Sequence, residues 1–329
     1  MERLRINSMK YIKNKALLFF FILVFPLISS AQEPNNTQPG LSGRFQAGVS
    51  YFKTDSQLST DDSNRQNSDL EKSADTHDVM SALASIYLHY QFESGTAVYV
   101  GNPMELGEGL ALSAGVIQPV GSSTLDIAAN WLPISEVWRN PYETTRERET
   151  SDVNTVGISF SLKDIGGTPW EVNYRIDRFD IEDDDIGLIE PDLKQDQLRH
   201  ELGSRYTLRL RPWIEVSPEL NYLYNDSEGD ANSYNGMRFR TLLKLSKPPW
   251  IFMGMVSGSQ NWYREIHPLY GKTRRQSEYY SFAQVMRMNL FGLKHLFGNI
   301  GAGYMWSDSN IDFFDSQTFI GMASIGVNF

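Results

Sequence analysis

From Leu41 onward the chain repeats one unit: about ten residues of alternating apolar and polar side chains, then a turn or loop. Ser81 to Phe92 sets Ala82, Ala84, Ile86, Leu88, Tyr90 and Phe92 against Ser85, His89 and Gln91, because successive strand side chains point to opposite faces. Asn154 to Leu162, Trp170 to Arg178 and Leu202 to Leu210 repeat the pattern. The connections alternate in length. Glu93-Ser94-Gly95, Val120-Gly121-Ser122, Arg211-Pro212-Trp213 and Lys247-Pro248-Pro249 read as tight turns, where Gly and Pro supply the special backbone angles. Between them lie long polar stretches: Thr54 to Met80, Ile134 to Asp152, Asp180 to Arg199, Asp226 to Asn235, Asn261 to Gln276 and Asp308 to Gln317.

Short turns at one end and long loops at the other are the mark of an outer-membrane barrel, whose turns are periplasmic and whose loops are extracellular. The predicted fold is therefore all-β: an antiparallel up-and-down transmembrane β-barrel of about fourteen strands over residues 41–329. The last strand places Phe319, Gly321, Ala323, Ile325, Val327 and Phe329 on one face. An alternating strand with an aromatic at its end resembles the signal read by the barrel-assembly machinery. Tyr51, Phe92, Trp131, Trp170, Trp213, Trp250 and Trp306 fall near strand ends, where interfacial aromatics sit.

The first residues carry Arg3, Arg5, Lys10, Lys13 and Lys15, then an apolar run from Ala16 to Ile28 and the small residues Ser29-Ser30-Ala31. This predicts a cleaved signal peptide over residues 1–31 and export to the outer membrane. Residues 32–40 form a short polar segment. The run is shorter than the roughly 20 residues of a spanning helix. Removing a segment of net charge +4 from a chain of −10 leaves −14, which argues against nucleic acid as a partner. The chain has no cysteine, so neither disulfides nor thiolate metal sites hold it together.

Catalytic signals are absent from the sequence. His77, His89, His200, His267 and His295 are scattered, with no i, i+4 pair and no neighbouring serine motif. No enzyme activity, cofactor or metal is expected. The acidic run Asp180, Glu182, Asp183, Asp184 and Asp185 offers oxygen ligands for a divalent ion, yet lacks the turn glycine of an EF-hand and reads better as a solvated loop. Lys272, Arg274 and Arg275 form a basic cluster that reads as a solvated charge run, with contact to lipopolysaccharide phosphates as its other reading.

The polar faces carry most of the information. Turned inward, they give a pore lining of Arg44, Asp126, Glu171, Arg175, Asp177, Glu201, Arg205, Arg209, Glu215, Glu219, Arg238, Arg240 and Lys244, with Gln46, Asn130 and Asn221 among them. Signs segregate by strand: Arg205 and Arg209, then Glu215 and Glu219, then Arg238, Arg240 and Lys244. Adjacent antiparallel strands bring such charges within cross-strand reach. Facing lipid, each would cost roughly 2–4 kcal/mol at the midplane.

The stretch from Val98 to Asp185 carries Tyr99-Val100-Gly101, Leu110-Ala111-Leu112 with Gly115, Asn130-Trp131-Leu132-Pro133, Trp138-Arg139-Asn140-Pro141-Tyr142 and Thr150-Ser151-Asp152-Val153. It resembles a family of uncharacterised outer-membrane barrels of Gram-negative bacteria, catalogued as a domain of unknown function. The resemblance implies fold and location and brings no activity or catalytic residue. The expected function is a porin-like channel for passive diffusion of small hydrophilic solutes. The alternatives are a closed barrel whose loops bind a partner, a transporter of hydrophobic substrates with an apolar pocket lined by residues such as Leu242, and an enzyme.

Overall fold

Alternation becomes wall. The computed structural model describes residues 39–67, 69–102, 112–132 and 135–329. The predicted signal peptide, most of the 32–40 segment, and Leu110, Ala111, Pro133 and Ile134 lie outside the described residues. The strands are β1 (Gly40–Thr54), β2 (His77–Gln91), β3 (Ala97–Gly101), β4 (Leu112–Val120), β5 (Ser123–Leu132), β6 (Glu136–Trp138), β7 (Thr150–Lys163) and β8 (Trp170–Ile181). They continue with β9 (Gln197–Tyr206), β10 (Leu208–Arg211), β11 (Ile214–Ser227), β12 (Tyr234–Lys247), β13 (Trp250–His267), β14 (Lys272–Met288), β15 (Leu296–Ser309) and β16 (Ser316–Asn328).

Each strand pairs antiparallel with the next, and β16 returns to β1, with Asn328 opposite Arg44 and Thr318 opposite Thr54. β9 and β10 both pair with β11 and act as one strand broken at Thr207, while β6 pairs with β7 alone, off the main sheet. The result is a closed fourteen-stranded antiparallel barrel. Pairing of the last strand with the first leaves the sheet no terminal strand edge, as a hydrocarbon environment demands.

The outward face is apolar: Phe45, Ile86, Val116, Ile127, Phe160, Leu220, Phe239, Val256 and Ile300 all stand exposed there. A continuous exposed apolar belt of this kind is stable only against acyl chains. Trp131, Trp170, Trp213, Trp250 and Trp306 lie exposed near its two margins. On β13, Trp250 and Trp262 bracket the belt. Their separation is about 40 Å along the strand, or about 30 Å along the membrane normal at a tilt of about 40°.

At the seam, Gly43 and Phe329 exchange backbone hydrogen bonds of 2.9 and 3.0 Å. A Cβ on Gly43 would fall 2.5 Å from the Phe329 ring, so glycine is what lets that terminal ring lie against the first strand.

One predicted loop is mostly strand. In place of a loop from Asn261 to Gln276, β13 runs on to His267 and β14 starts at Lys272, leaving a turn at residues 268–271. The charges Arg264, Glu265 and Arg275 interrupt the apolar alternation because this hairpin rises beyond the membrane, where its outer face meets water. A register shift between Trp262 and Ile266 adds twist there.

Candidate functional site: a two-sided interior under a loop cap

Strand parity sends the side chains that avoid lipid into the barrel; of the thirteen charged residues singled out in the sequence, Arg209 is exposed and the other twelve are buried or half-buried. Most form a network on one wall, β8 to β12. Arg175 and Arg199 flank Asp177 at 2.8 and 3.4 Å. Glu171 pairs with Arg205 at 3.3 Å, and Arg205 with Glu219 at 2.9 Å. Glu219 also holds Arg240 at 3.0 Å, and Glu201 takes Arg238. At the short-turn end Glu215 lies 3.7 Å from Lys244 and 3.0 Å from Arg209. The Arg209 side chain is 78% exposed and stands at the rim. A register shift between Arg209 and Arg211 turns the strand there.

Two members lie elsewhere. Asp126 on β5 accepts from the Tyr99 hydroxyl at 3.0 Å and from Lys163 at 3.4 Å. The Tyr99 ring covers Gly115, where a Cβ would sit 2.4 Å from it. Arg44 donates to Asn328 at 3.0 Å and lies over the Phe297 ring.

The other wall is apolar, and its buried clusters are built from residues other than the Leu242 named for the hydrophobic-transport alternative. Met253 and Met255 on β13, Phe282 and Met286 on β14, Phe297 on β15, Ile320 and Met322 on β16, Phe52 on β1 and Leu83 on β2 are buried on the interior face. They form two clusters, one around Phe52, Leu83, Phe282, Ile320 and Met322, the other around Met253, Met286 and Phe297. A signal existed: Met253 and Met255 share parity with the polar Ser257, Ser259 and Asn261. Methionine fills irregular apolar space without a fixed shape.

The long loops close over one end. Trp138, 1% exposed, donates from Nε1 to the Ser59 carbonyl at 3.1 Å, so the loop of residues 133–149 is tied to that of residues 55–76. Arg148 stacks on Trp138 at 4.4 Å and donates to the carbonyls of Gln57 and Pro141 at 2.8 and 3.2 Å, and to that of Asn64. Tyr142 from the same loop reaches His267, Tyr270 and Phe313, with ring centroids 5.3, 6.3 and 5.0 Å away. It also packs on Ile186, Leu193 and Ala231. The β5–β7 loop and the β13–β14 turn are six strands apart in a ring of fourteen, so this contact crosses the mouth.

The acidic run is engaged within this cap. Asp180 pairs with Arg178 at 2.7 Å, Asp183 takes Arg139, and Asp184 accepts from the backbone of Gln195 at 2.7 Å. The basic cluster is split: Lys272 and Arg275 are exposed, whereas Arg274 turns inward and is buried.

His267 makes the cap sensitive to acid. Its Nε2 and the Tyr142 hydroxyl are 3.0 Å apart, while its buried Nδ1 has no partner among the described residues. Burial, aided by the positive charge of Arg274, pulls the imidazole from 6.5 down to about 3. Between those values the unfolded cap binds a proton that the folded cap refuses, so cap stability falls as pH drops below about 6.5. Hydrogen-exchange protection factors of residues 139–148, taken relative to intrinsic exchange at each pH, are expected to be at least about tenfold lower near pH 4.5 than near pH 7.5. His267→Gln should flatten that difference; an unchanged difference would exclude His267 as its source.

A closed wall with a lipid-facing belt and a shielded polar interior defines an outer-membrane β-barrel protein. The family described as "Protein of unknown function (DUF2860)" matches residues 40–329, and the chain belongs to that family. No curated protein matches the chain. Among solved structures it is similar to the CymD monoaromatic hydrocarbon channel, at 7% identity and a TM-score of 0.50 over 94% of this chain and 99% of that one. It is also similar to the outer membrane channel DcaP of Acinetobacter baumannii, at 9% identity and a TM-score of 0.43 over 88% and 96% of the two chains. The anion-selective porin from Comamonas acidovorans is similar at 8% identity and 0.42 over 88% and 98%. At such identities the likeness is one of fold. The segment Trp138 to Tyr142, among those that carried the family resemblance in the sequence, supplies the centre of the cap.

Proposed function

We propose that this protein is a narrow, capped channel through which small solutes diffuse passively across the outer membrane, after export by a cleaved signal peptide. The observation that carries this reading is where the polar contacts run. Each ion pair described in the charged wall lies within one strand or joins strands that are neighbours or next neighbours, whereas contacts from one side of the barrel to the other are made in the cap. The barrel is thus held shut at its mouth by loops. Eight strands enclose a space that side chains fill, and 16 to 18 leave an open aqueous channel. Fourteen, with a shielded charged wall, suits a narrow and selective passage.

Transport is favoured over catalysis. Among the described residues the nearest approach to a catalytic pair is Ser59 Oγ and His77 Nε2 at 2.8 Å, and Ser59 is 2% exposed, which leaves a substrate no approach. Lipid, lipopolysaccharide near Lys272 and Arg275, and the assembly machinery at β16 are the partners this reading implies. The tight packing of Trp138 and Arg148 favours one other reading, a sealed barrel whose loops bind a partner. Folded protein in planar bilayers is expected to give discrete conductance steps. If neither the intact barrel nor one lacking its cap conducts, the channel reading fails and the sealed barrel stands.

A further inference from the structure

Arg274 is built unlike the other interior arginines. Arg199, Arg205, Arg238 and Arg240 each have a carboxylate within 4 Å. Arg274, 7% exposed, makes no hydrogen bond or ion pair among the described residues, and its Nε is shielded without a partner. Its guanidinium lies 3.5 Å from the Tyr263 ring centroid and 3.9 Å from that of Phe314. Ring contacts offset only part of what burying a guanidinium charge costs. Stacked rings occupy the faces of a guanidinium and leave its N–H edge as the place for an acceptor.

We propose that Arg274 is the recognition point for a small organic monoanion, a carboxylate carrying an apolar body, as it passes beneath the cap. A single guanidinium fork matches one carboxylate. The collar around it is apolar and aromatic: Phe313, Phe314, Tyr142 and Tyr270 pack together there. Beyond it, the same face of β14 carries Gln276 and Glu278, which are engaged with each other and with Ser259 and Ser307, and then continues with Tyr280 and Phe282 into the apolar wall. An anion at this point therefore meets the fixed positive charge of Arg274 at its head and the aromatic collar along its body, with the hydrogen-bonded Glu278 further down the strand. A purely hydrophilic solute would leave that surface unused.

The proposal rests on the channel reading, and one experiment separates the two. Full-length folded protein in detergent is titrated calorimetrically with benzoate, its neutral isostere benzamide, acetate and inorganic phosphate, and conductance is recorded in parallel. Benzoate is expected to bind at least about tenfold more tightly than each of the other three. Arg274→Met should weaken benzoate by at least about tenfold while leaving thermal unfolding unchanged or raised, since it removes an uncompensated buried charge. Arg275→Gln, one position on and facing outward, should behave as wild type. Should Arg274→Lys fold and bind benzoate as tightly as wild type, charge alone would suffice and the fork geometry would be refuted. Equal benzoate affinity in wild type and Arg274→Met, or phosphate bound as tightly as benzoate, overturns the proposal. Conductance without benzoate binding removes the site and leaves the channel; binding without conductance does the reverse.

Discussion

Replacing Glu219 with glutamine is expected to cost about 3–5 kcal/mol of barrel stability. This carboxylate is 2% exposed and sits between Arg205 at 2.9 Å and Arg240 at 3.0 Å. Removing its charge leaves two guanidiniums facing each other in a place with little water. Breaking a buried network is costly for that reason, even where the intact network adds little net stability. Glu215→Gln supplies the contrast, because its partner Arg209 is largely exposed at the rim. There the change should stay within about 1 kcal/mol. Denaturant titration in lipid vesicles measures both. Near-equal effects would mean that the interior is wide and wet, and would remove the case for a narrow passage.

Excising residues 140–148 and joining Arg139 to Glu149 through a short glycine linker should raise single-channel conductance severalfold. Arg139 N–H and the Glu149 carbonyl are already 2.9 Å apart, so the ends meet without strain on the wall. The excision removes Tyr142, whose ring bridges to the opposite side of the mouth, and Arg148, which anchors the loop of residues 55–76. The wall keeps its pairing through β5 and β7, from Leu132 opposite Thr155 to Thr124 opposite Lys163. Conductance equal to that of the intact protein would show that the cap does not gate the barrel. Combined with the pH dependence expected of His267, the excision also separates the two ways of opening: a shortened cap should conduct alike at acid and neutral pH.

Much of the wall was legible in the chain because a membrane strand is read on both faces. Val156, Ile158 and Phe160 had to meet lipid, so Thr155, Gly157 and Ser159 had to point inward. The charged wall was legible for the same reason, as a set of opposite charges on adjacent strands; the individual pairs, such as Arg205 with Glu219 and Glu215 with Lys244, come from the structure. The apolar wall was harder to see. Once a hydrophobic residue is allowed inside, hydrophobicity no longer marks the outward face, and Leu83 or Phe282 reads as one more lipid contact unless parity is followed strictly. The hairpin of Arg264 and Arg275 was taken for a loop because charged outward positions mark the end of the membrane, while the backbone ladder continues past it.

The sequence by itself determined the class of fold, the approximate strand number and the end carrying long loops, because all of these follow from a two-residue period imposed by lipid. The tertiary structure alone decided what those elements meet. Tyr142 finds Tyr270 and His267 only once the ring closes and brings residues more than a hundred positions apart across one mouth. Arg274 loses its solvent for the same reason, since rings from β13 and from the loop after β15 enclose it. Periodicity fixes a side chain's direction within its own strand; its neighbours across a closed barrel depend on closure and loop path, which no local pattern encodes.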